Sequence, residues 1–429
     1  MTDPPLVIRG GTVVDPTGSR QADVAVRGGV VTAVEPTVEA SRGVRVLDAT
    51  GCVVAPGLVD LHTHLREPGR EEAETVETGS RAAALGGFTA VVAMPNTEPP
   101  VDCAAVARQV LELGRAALCD VHVAGAITVG RQGERLAPMA ELADLGVRLF
   151  TDDGAGVQDT RLMRRALEYG RGLGVTLAQH CEDAALAHGG HMHEGEWSSR
   201  LGIGGIPAEA EELMVMRDIA LCRMTGASLH FLHLSTAGSV AMVRAAKAQG
   251  LPITAEAAPH HFTLTDASAS SFDPVYKVNP PLRTDEDVEA VKRGLGDGAI
   301  DAIATDHAPH DQAAKESPWD EAPPGMLGLE TALALALGEL EMPIERVLAL
   351  LSWQPARIAG IDAAHGGPVV PGRAANLVVI DPTVRWVVDP ARLASRSHNT
   401  PYAGRSMVGR VRHTVRRGEP VVVGGEAQR

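Results

Sequence analysis

Two histidines separated by one residue, His62 and His64, stand where the apolar run Cys52-Val53-Val54-Ala55-Pro56-Gly57-Leu58 gives way to polar chain. The run reads as a buried strand opening into a loop. Residues i and i+2 of a strand point to the same side. Both imidazoles therefore aim at one point, the arrangement that a divalent transition ion such as zinc needs. Arg66 follows two residues on, and its planar guanidinium suits a carboxylate. A His-x-His pair alone is often surface chemistry with no ligand. Recurrence gives it weight: later apolar runs end at Asp153, His180, His233 and Asp306. Four imidazoles and two carboxylates at strand ends can hold two divalent ions if one carboxylate bridges them, and such a pair generates hydroxide at neutral pH.

The elements that must position these residues show one rhythm: apolar strand, polar tip, helix. Strand candidates end at His62, Met94-Pro95-Asn96, Ala126-Ile127-Thr128 and Phe150-Thr151-Asp152-Asp153. Four more end at Gln179-His180, Leu232-His233, Glu256 and Thr305-Asp306-His307, and helices are expected over 71–85, 160–171, 208–224 and 236–248. Eight such units over about 300 residues is the size of a (β/α)8 barrel. An open doubly wound sheet is the alternative, but polar residues that end most strands belong on one rim, which in a barrel is the active-site face. Outside this region the chain reads as short strands and turns, at 6–54 and again after the Gly366-Gly367 and Pro371-Gly372 break. These two ends are expected to pair into one small β-sandwich. The organisation read from the sequence is 1–55 sandwich, 56–363 barrel and 364–429 sandwich.

Composition excludes some functions. A net charge of −15 argues against nucleic acid or an anionic membrane as partner. It does not argue against a small anion met by a local arginine. Five cysteines without C-x-x-C spacing suit a reducing compartment. Neither a signal segment nor an apolar run of ~18–20 residues is visible, so a soluble, cytoplasmic protein is expected. His191-Met192-His193 repeats the His-x-His spacing, but Gly189-Gly190 rather than a strand precede it, so a mobile loop is expected there. His260 and His261 read as structural. His122, His188, His230, His365, His398 and His413 carry no usable signal.

The motifs His62-Thr-His-Leu-Arg-Glu-Pro-Gly69, Met94-Pro-Asn-Thr97, Phe150-Thr-Asp-Asp-Gly154 and His180-Cys-Glu-Asp183 resemble those of the bacterial class I dihydroorotases, in the amidohydrolase superfamily. The series continues with His233-Leu-Ser-Thr-Ala-Gly238, Lys277-Val-Asn-Pro-Pro-Leu-Arg283, Ile303-Ala-Thr-Asp-His-Ala-Pro-His310 and Gly328-Leu-Glu-Thr331. The resemblance spans nearly the whole barrel, and the β-rich ends match that superfamily's composite sandwich. It implies reversible cyclisation of N-carbamoyl-L-aspartate to L-dihydroorotate. It also implies two zinc ions: His62, His64 and Asp306 at one, His180 and His233 at the other, and Asp153 between. Asp306 would act as general base and acid, and the substrate would meet His64, Arg66, Asn96, Asn279, His310, Pro324 and Gly325. Read without the family, Asn96 and Asn279 are turn residues, since each adjoins a proline. Many relatives carry an aromatic residue where Pro324 stands, and a proline offers a carbonyl but no N–H.

Many related enzymes bridge their metals with a carboxylated lysine. Here the first lysine is Lys247, beyond the fourth strand, so an aspartate must bridge. That weighs against a hydantoinase-like or allantoinase-like cyclic amidohydrolase. A second rival is an inactive chain that only scaffolds aspartate carbamoyltransferase; such chains lose metal ligands, whereas all six stand here. The resemblance admits a homodimer and a complex with aspartate carbamoyltransferase, and the residues choose neither. The segment 311–324 has the glycine, proline and charge content of a mobile loop.

Overall fold

The protein, described here from a computed structural model that covers residues 5–40 and 43–429, contains a closed parallel barrel. Its strands are β1 (Leu58–Thr63), β2 (Phe88–Ala93), β3 (Asp120–Val123), β4 (Leu149–Phe150), β5 (Thr176–Gln179), β6 (Leu229–Phe231), β7 (Ile253–Ala257) and β8 (Ala302–Ile303). Neighbours pair in sequence order, Gly125 bridges to Phe150 between β3 and β4, and Thr63 bridges to His307 to close the ring. β1 and β2 are buried along their whole length because one face fills the barrel and the other meets helices.

The flanking helices are α1 (Val76–Leu85), α2 (Ala104–Leu113), α3 (Met139–Asp144), α4 (Thr160–Leu173), α5 (Glu209–Thr225), α6 (Ala237–Ala248), α7 (Asp285–Asp297) and α8 (Ala332–Glu339). α1 begins five residues later than the sequence pattern predicts. Thr75 accepts a hydrogen bond from Thr78 N while the Thr78 hydroxyl accepts from Thr75 N, a reciprocal cap that sets the first turn there. Residues 71–75 are left to the loop, where the buried Glu74 has its own partners.

The two ends of the chain build the β-sandwich. One sheet runs 30–35, 23–27, 6–9, 45–48; the other has seven strands, with the C-terminal Leu377–Val387 paired antiparallel to the N-terminal Val53–Pro56. Its core mixes both ends: Leu6, Ile8, Val24 and Val54 pack with Leu377, Val379 and Val415. Neither end holds that core alone, which is why the sandwich must be composite. The fold is a (β/α)8 barrel with a composite β-sandwich, as the strand rhythm predicts.

Met192–His193 departs from the sequence reading. It is a short strand paired with Gly205–Ile206, not a free loop. Arg283, buried, donates to His193 Nδ1 at 3.1 Å and to the Ile206 carbonyl at 3.0 Å. Its long reach from a distant segment is what local composition hides.

Candidate active site

The C-terminal ends of the strands converge on Asp153, which follows β4. Its Oδ1 lies 3.4 Å from His62 Nε2 and 3.6 Å from both His180 Nδ1 and His233 Nε2, and its Oδ2 lies 3.7 Å from His64 Nε2. Two ligand groups share this carboxylate: His62, His64 and Asp153, then Asp153, His180 and His233. Asp306 after β8 completes the ring, with Oδ1 3.1 Å from His64 Nε2 and 3.5 Å from His62 Nε2. All six residues are buried.

This donor set fits divalent ions. Ligand atoms about 2.0–2.1 Å from a tetrahedral zinc stand roughly 3.3 Å apart, close to the spacings around Asp153. Buried polar atoms are normally paired, yet His62 Nε2, which faces Asp153, has no hydrogen-bond partner among the described residues; His180 Nδ1 and His233 Nε2, which also face it, stand 3.0 Å from each other. The field there is cation-attracting. Burial opposes charge on His62, but Asp153 and Asp306 overcome it and raise its pKa well above the ordinary value. Burial likewise opposes charge on Asp153 and Asp306, but His62 and the other rings hold both carboxyls below the usual carboxylate range.

A further set of buried groups aims the ligands. His62 Nδ1 donates to Glu256 Oε1 at 2.9 Å, which leaves Nε2 bare toward Asp153. The other Glu256 oxygen accepts from His230 Nε2 at 3.0 Å, and His230 Nδ1 meets Thr254 Oγ1 at 2.8 Å. Burial would raise the Glu256 pKa, but the hydrogen bonds from His230 and His62 hold it at about 2. His64 Nδ1 is 2.9 Å from Asn96 Oδ1, so Asn96 orients a candidate ligand, and its amide also donates to Asp153 Oδ2 at 3.3 Å. Asp60 on β1 accepts from Thr305 N at 2.8 Å and Thr305 Oγ1 at 2.5 Å, tying β8 to β1 beside Asp306. Neither Glu256, His230 nor Asp60 stands out in the sequence, because nothing local marks their partners.

Three of these positions bend the backbone. Arg66, His233 and Asp306 have φ of 60°, 29° and 45°, a region that non-glycine residues rarely occupy. Such strain persists where surrounding contacts over-determine it, as at functional sites.

The cavity over the cluster measures about 160 Å3 and is lined by all the residues expected to meet substrate: His64, Arg66, Asn96, Asn279, His310, Pro324 and Gly325. It is too small for drug-sized ligands, which take ~300 Å3 or more, and suits one small ring. A larger cleft of about 750 Å3 lies between α8 and the sandwich. It contains none of the converging His/Asp groups, so chemistry rather than size picks the site. Arg66, buried, donates through Nε to the Pro309 carbonyl at 3.1 Å and stays cationic, although burial pulls its pKa down to about 10. Burial and the Arg66 charge lower His310 to about 2, so its ring is neutral at physiological pH; Nε2 donates to the Pro324 carbonyl at 2.8 Å, leaving Nδ1 bare. Asn279 Oδ1 is also unpaired.

The backbone at 324–325 differs from expectation. Gly325 N–H is committed to the Lys277 carbonyl at 2.9 Å and the Pro324 carbonyl to His310. Both residues therefore act as wall, with their polar groups already spent. Gly325 has φ of 141°, and a Cβ there would sit 2.7 Å from Ala308 Cβ and 2.8 Å from His310 Nε2, so only glycine fits. The segment 311–325 is anchored: the buried Lys315 ammonium donates to the Pro323 and Gly325 carbonyls, each at 3.0 Å, and Lys277 Nζ to the Trp319 carbonyl at 2.6 Å. His260, read as structural, is buried with Nε2 unpaired and 4.0 Å from Asp306 Oδ2.

A family model described as Dihydro-orotase-like matches residues 51–239. The chain is 49% identical to a dihydroorotase of Anaeromyxobacter dehalogenans (strain 2CP-C), over 99% of each chain. It is 48% identical to a dihydroorotase of Streptomyces coelicolor, over 98% of this chain and 99% of the relative. The chain belongs to the dihydroorotase family. Among solved structures it resembles an L-hydantoinase (dihydropyrimidinase) from Arthrobacter aurescens, with a TM-score of 0.87 at 25% identity over 100% of this chain and 98% of that one. A dihydropyrimidinase from Brevibacillus agri NCHU1002 shares the fold at 24% identity and a TM-score of 0.85, over 99% of this chain and 96% of that one. No helix of the described residues is long and apolar enough to cross a membrane.

Proposed function

We propose that this member of the dihydroorotase family interconverts N-carbamoyl-L-aspartate and L-dihydroorotate in pyrimidine synthesis. The observation that carries the reading is the pairing of a shared carboxylate ringed by four imidazoles with a buried arginine across a one-ring cavity. His62, His64 and Asp306 would hold one zinc ion, His180 and His233 a second, and Asp153 both. When bound, the ions supply Lewis acidity to the ring amide and its attacking water.

The chain's own residues do the rest. Asp306, held ionised by the rings around it, accepts a proton from the attacking water and passes it to the departing ring nitrogen; in the reverse direction it returns that proton as the ring closes. Arg66 binds the exocyclic carboxylate through charge-assisted hydrogen bonds. Asn279 Oδ1 and His310 Nδ1 are bare polar atoms for the ring and carboxylate. Asn96 acts both on substrate and through His64. Pro324 and Gly325 shape the wall and exclude water. We assign residues 1–55 and 364–429 to the sandwich and 56–363 to the barrel, and we place the enzyme in the cytoplasm, with a homodimer and a complex with aspartate carbamoyltransferase as the assemblies to test.

The test is turnover of both compounds by purified protein, before and after chelation and after zinc is returned. Activity lost on chelation and restored by zinc supports the reading. Turnover of hydantoins or allantoin instead would reassign the substrate. Bound metal with no turnover, even with aspartate carbamoyltransferase added, would contradict it.

A further inference from the structure

The connection between the sandwich strands Leu377–Val387 and Ser406–Arg416 does not stay with the sandwich. From residue 395 to 400 it runs along the barrel rim. Ser395, Ser397 and Asn399 are buried, while Arg396 and His398 between them are exposed. An alternation of this kind usually buries apolar side chains; here it buries polar ones, so each needs a partner. Ser395 Oγ donates to Glu74 Oε2 at 2.5 Å and Ser397 Oγ to the Ala73 carbonyl at 2.7 Å, both in the loop after β1. Asn399 makes three bonds to the chain after β8. Its Nδ2 donates to the Ala308 carbonyl at 3.0 Å and the Gly325 carbonyl at 3.1 Å, and its Oδ1 accepts from His310 N at 3.2 Å.

Two carbonyls and one N–H fix which end of the amide is which, since a carbonyl only accepts and an N–H only donates. They also fix the residue type. An aspartate here would set a carboxylate oxygen against two carbonyl oxygens, a serine has one hydrogen for two acceptors, and a leucine would leave all three groups unpaired. The three partners belong to one wall. Ala308, His310 and Gly325 all line the small cavity over Asp153. Between Ala308 and His310 lies Pro309, whose carbonyl accepts from Arg66 Nε at 3.1 Å. Asn399 itself does not line that cavity. Its side chain stands behind the wall and pins the bracket on which the guanidinium rests.

We propose that Asn399 is a positioning residue for the carboxylate end of the substrate: it fixes 308–310 against Gly325 and so aims Arg66 and His310 at the exocyclic carboxylate. This role rests on the dihydroorotase reading of the site, which supplies the carboxylate to be met. It makes the sandwich part of the site, because a residue from 364–429 shapes binding without touching the ligand. Groups held by packing and by hydrogen bonds behind them bind with less loss of freedom. The carboxylate contact is made in ground and transition states alike, so its loss falls on KM rather than kcat.

Steady-state kinetics on L-dihydroorotate, with zinc content and melting temperature read on the same samples, tests this. Asn399→Ala is expected to raise KM about 5–20-fold, the scale of one or two hydrogen bonds, with kcat within about twofold of the natural chain and zinc retained. Asn399→Ser keeps one donor and is expected to fall between; it carries the measurement if the alanine variant does not fold. In an Arg66→Ala background the same change is expected to add no more than about threefold, because most of its effect passes through the guanidinium. Ser397→Ala removes one buried hydrogen bond of the same segment and is expected to lower the melting temperature without moving KM. An unchanged KM in Asn399→Ala, an equal rise in Ser397→Ala, full additivity with Arg66→Ala, or loss of zinc with a fall in kcat overturns the proposal while the reaction stands. No turnover by the natural chain overturns the dihydroorotase reading and the proposal with it.

Discussion

Two buried clusters of histidine and aspartate among the described residues are opposites. Around Asp153, His62 Nε2 faces the carboxylate without a hydrogen-bond partner, while His180 Nδ1 and His233 Nε2 face it and meet each other at 3.0 Å. Around Asp120, where the barrel meets the sandwich, His365 donates to Asp120 at 3.1 Å and meets Thr89 Oγ1 at 3.2 Å, while Arg416 and Arg417 donate to the same carboxylate at 2.7 and 3.0 Å. His122 lies edge-on to His365 with a bare Nε2, but among the described residues no other ligand group converges on it. The same residue types thus make a joint in one place and a ligand set in the other. What separates them is the accounting of donors and acceptors: the joint is closed, and the rim is left open for something cationic.

That contrast can be broken by exchange of single groups, beginning where the effect is largest. Asp306→Asn is expected to lower kcat by about 10²–10⁴-fold with little change in KM, the scale of a lost general acid–base group; steady-state kinetics on L-dihydroorotate reads it. A comparable change at the closed cluster should leave kcat alone. Asp120→Ala strands His365 and Arg416 and is expected to cost on the order of 3 kcal/mol of stability, measured by denaturant unfolding, with turnover preserved below the new midpoint. Arg66→Ala removes charge-assisted bonds to the carboxylate, and KM is expected to rise by about 10–100-fold while kcat falls less. Glu256→Gln leaves the cavity unchanged but loosens the His62 ring, so zinc affinity, measured by competition with a chelator, is expected to fall by about 10–100-fold.

The smallest effect is a pH dependence. Burial, then the charge on Lys277, brings the Lys315 pKa to about 7, below the 10.5 of an unfolded lysine. Between those values the unfolded chain binds the extra proton, so this group makes stability rise with pH from about 7 to 10.5. Lys315→Met lacks that rise. Unfolding midpoints of the two proteins at pH 7 and pH 9 should therefore diverge in favour of the natural chain at the higher pH.

Much of the rim is legible in the sequence because strand geometry is local. His62 and His64 lie two apart on one strand, and Asp153, His180, His233 and Asp306 each follow a strand, so an alternating pattern suffices to bring them together. The sandwich is legible for the same reason. What supports the rim is not. Glu256 lies 194 residues from His62, its partner, and Asp60 lies 245 residues from Thr305. Composition has no access to such pairings. Arg283 and Lys315 make the same point in reverse: glycine, proline and charge near 191 and 311–324 read as mobility, yet a distant or buried cation holds each segment. Backbone strain at Arg66, His233 and Asp306 is equally silent in the residue types. The commitment of Gly325 N–H to Lys277 appears only once the chain is folded.

The central claim is that the open cluster holds two divalent ions with Asp153 between them. Anomalous diffraction at the zinc absorption edge, from crystals of the zinc-loaded protein, tests it most directly. The account predicts two peaks per chain, one on each side of the Asp153 carboxylate, and loss of both in Asp153→Ala. A single peak that avoids Asp153, or no peak among His62, His64, His180 and His233, would contradict it.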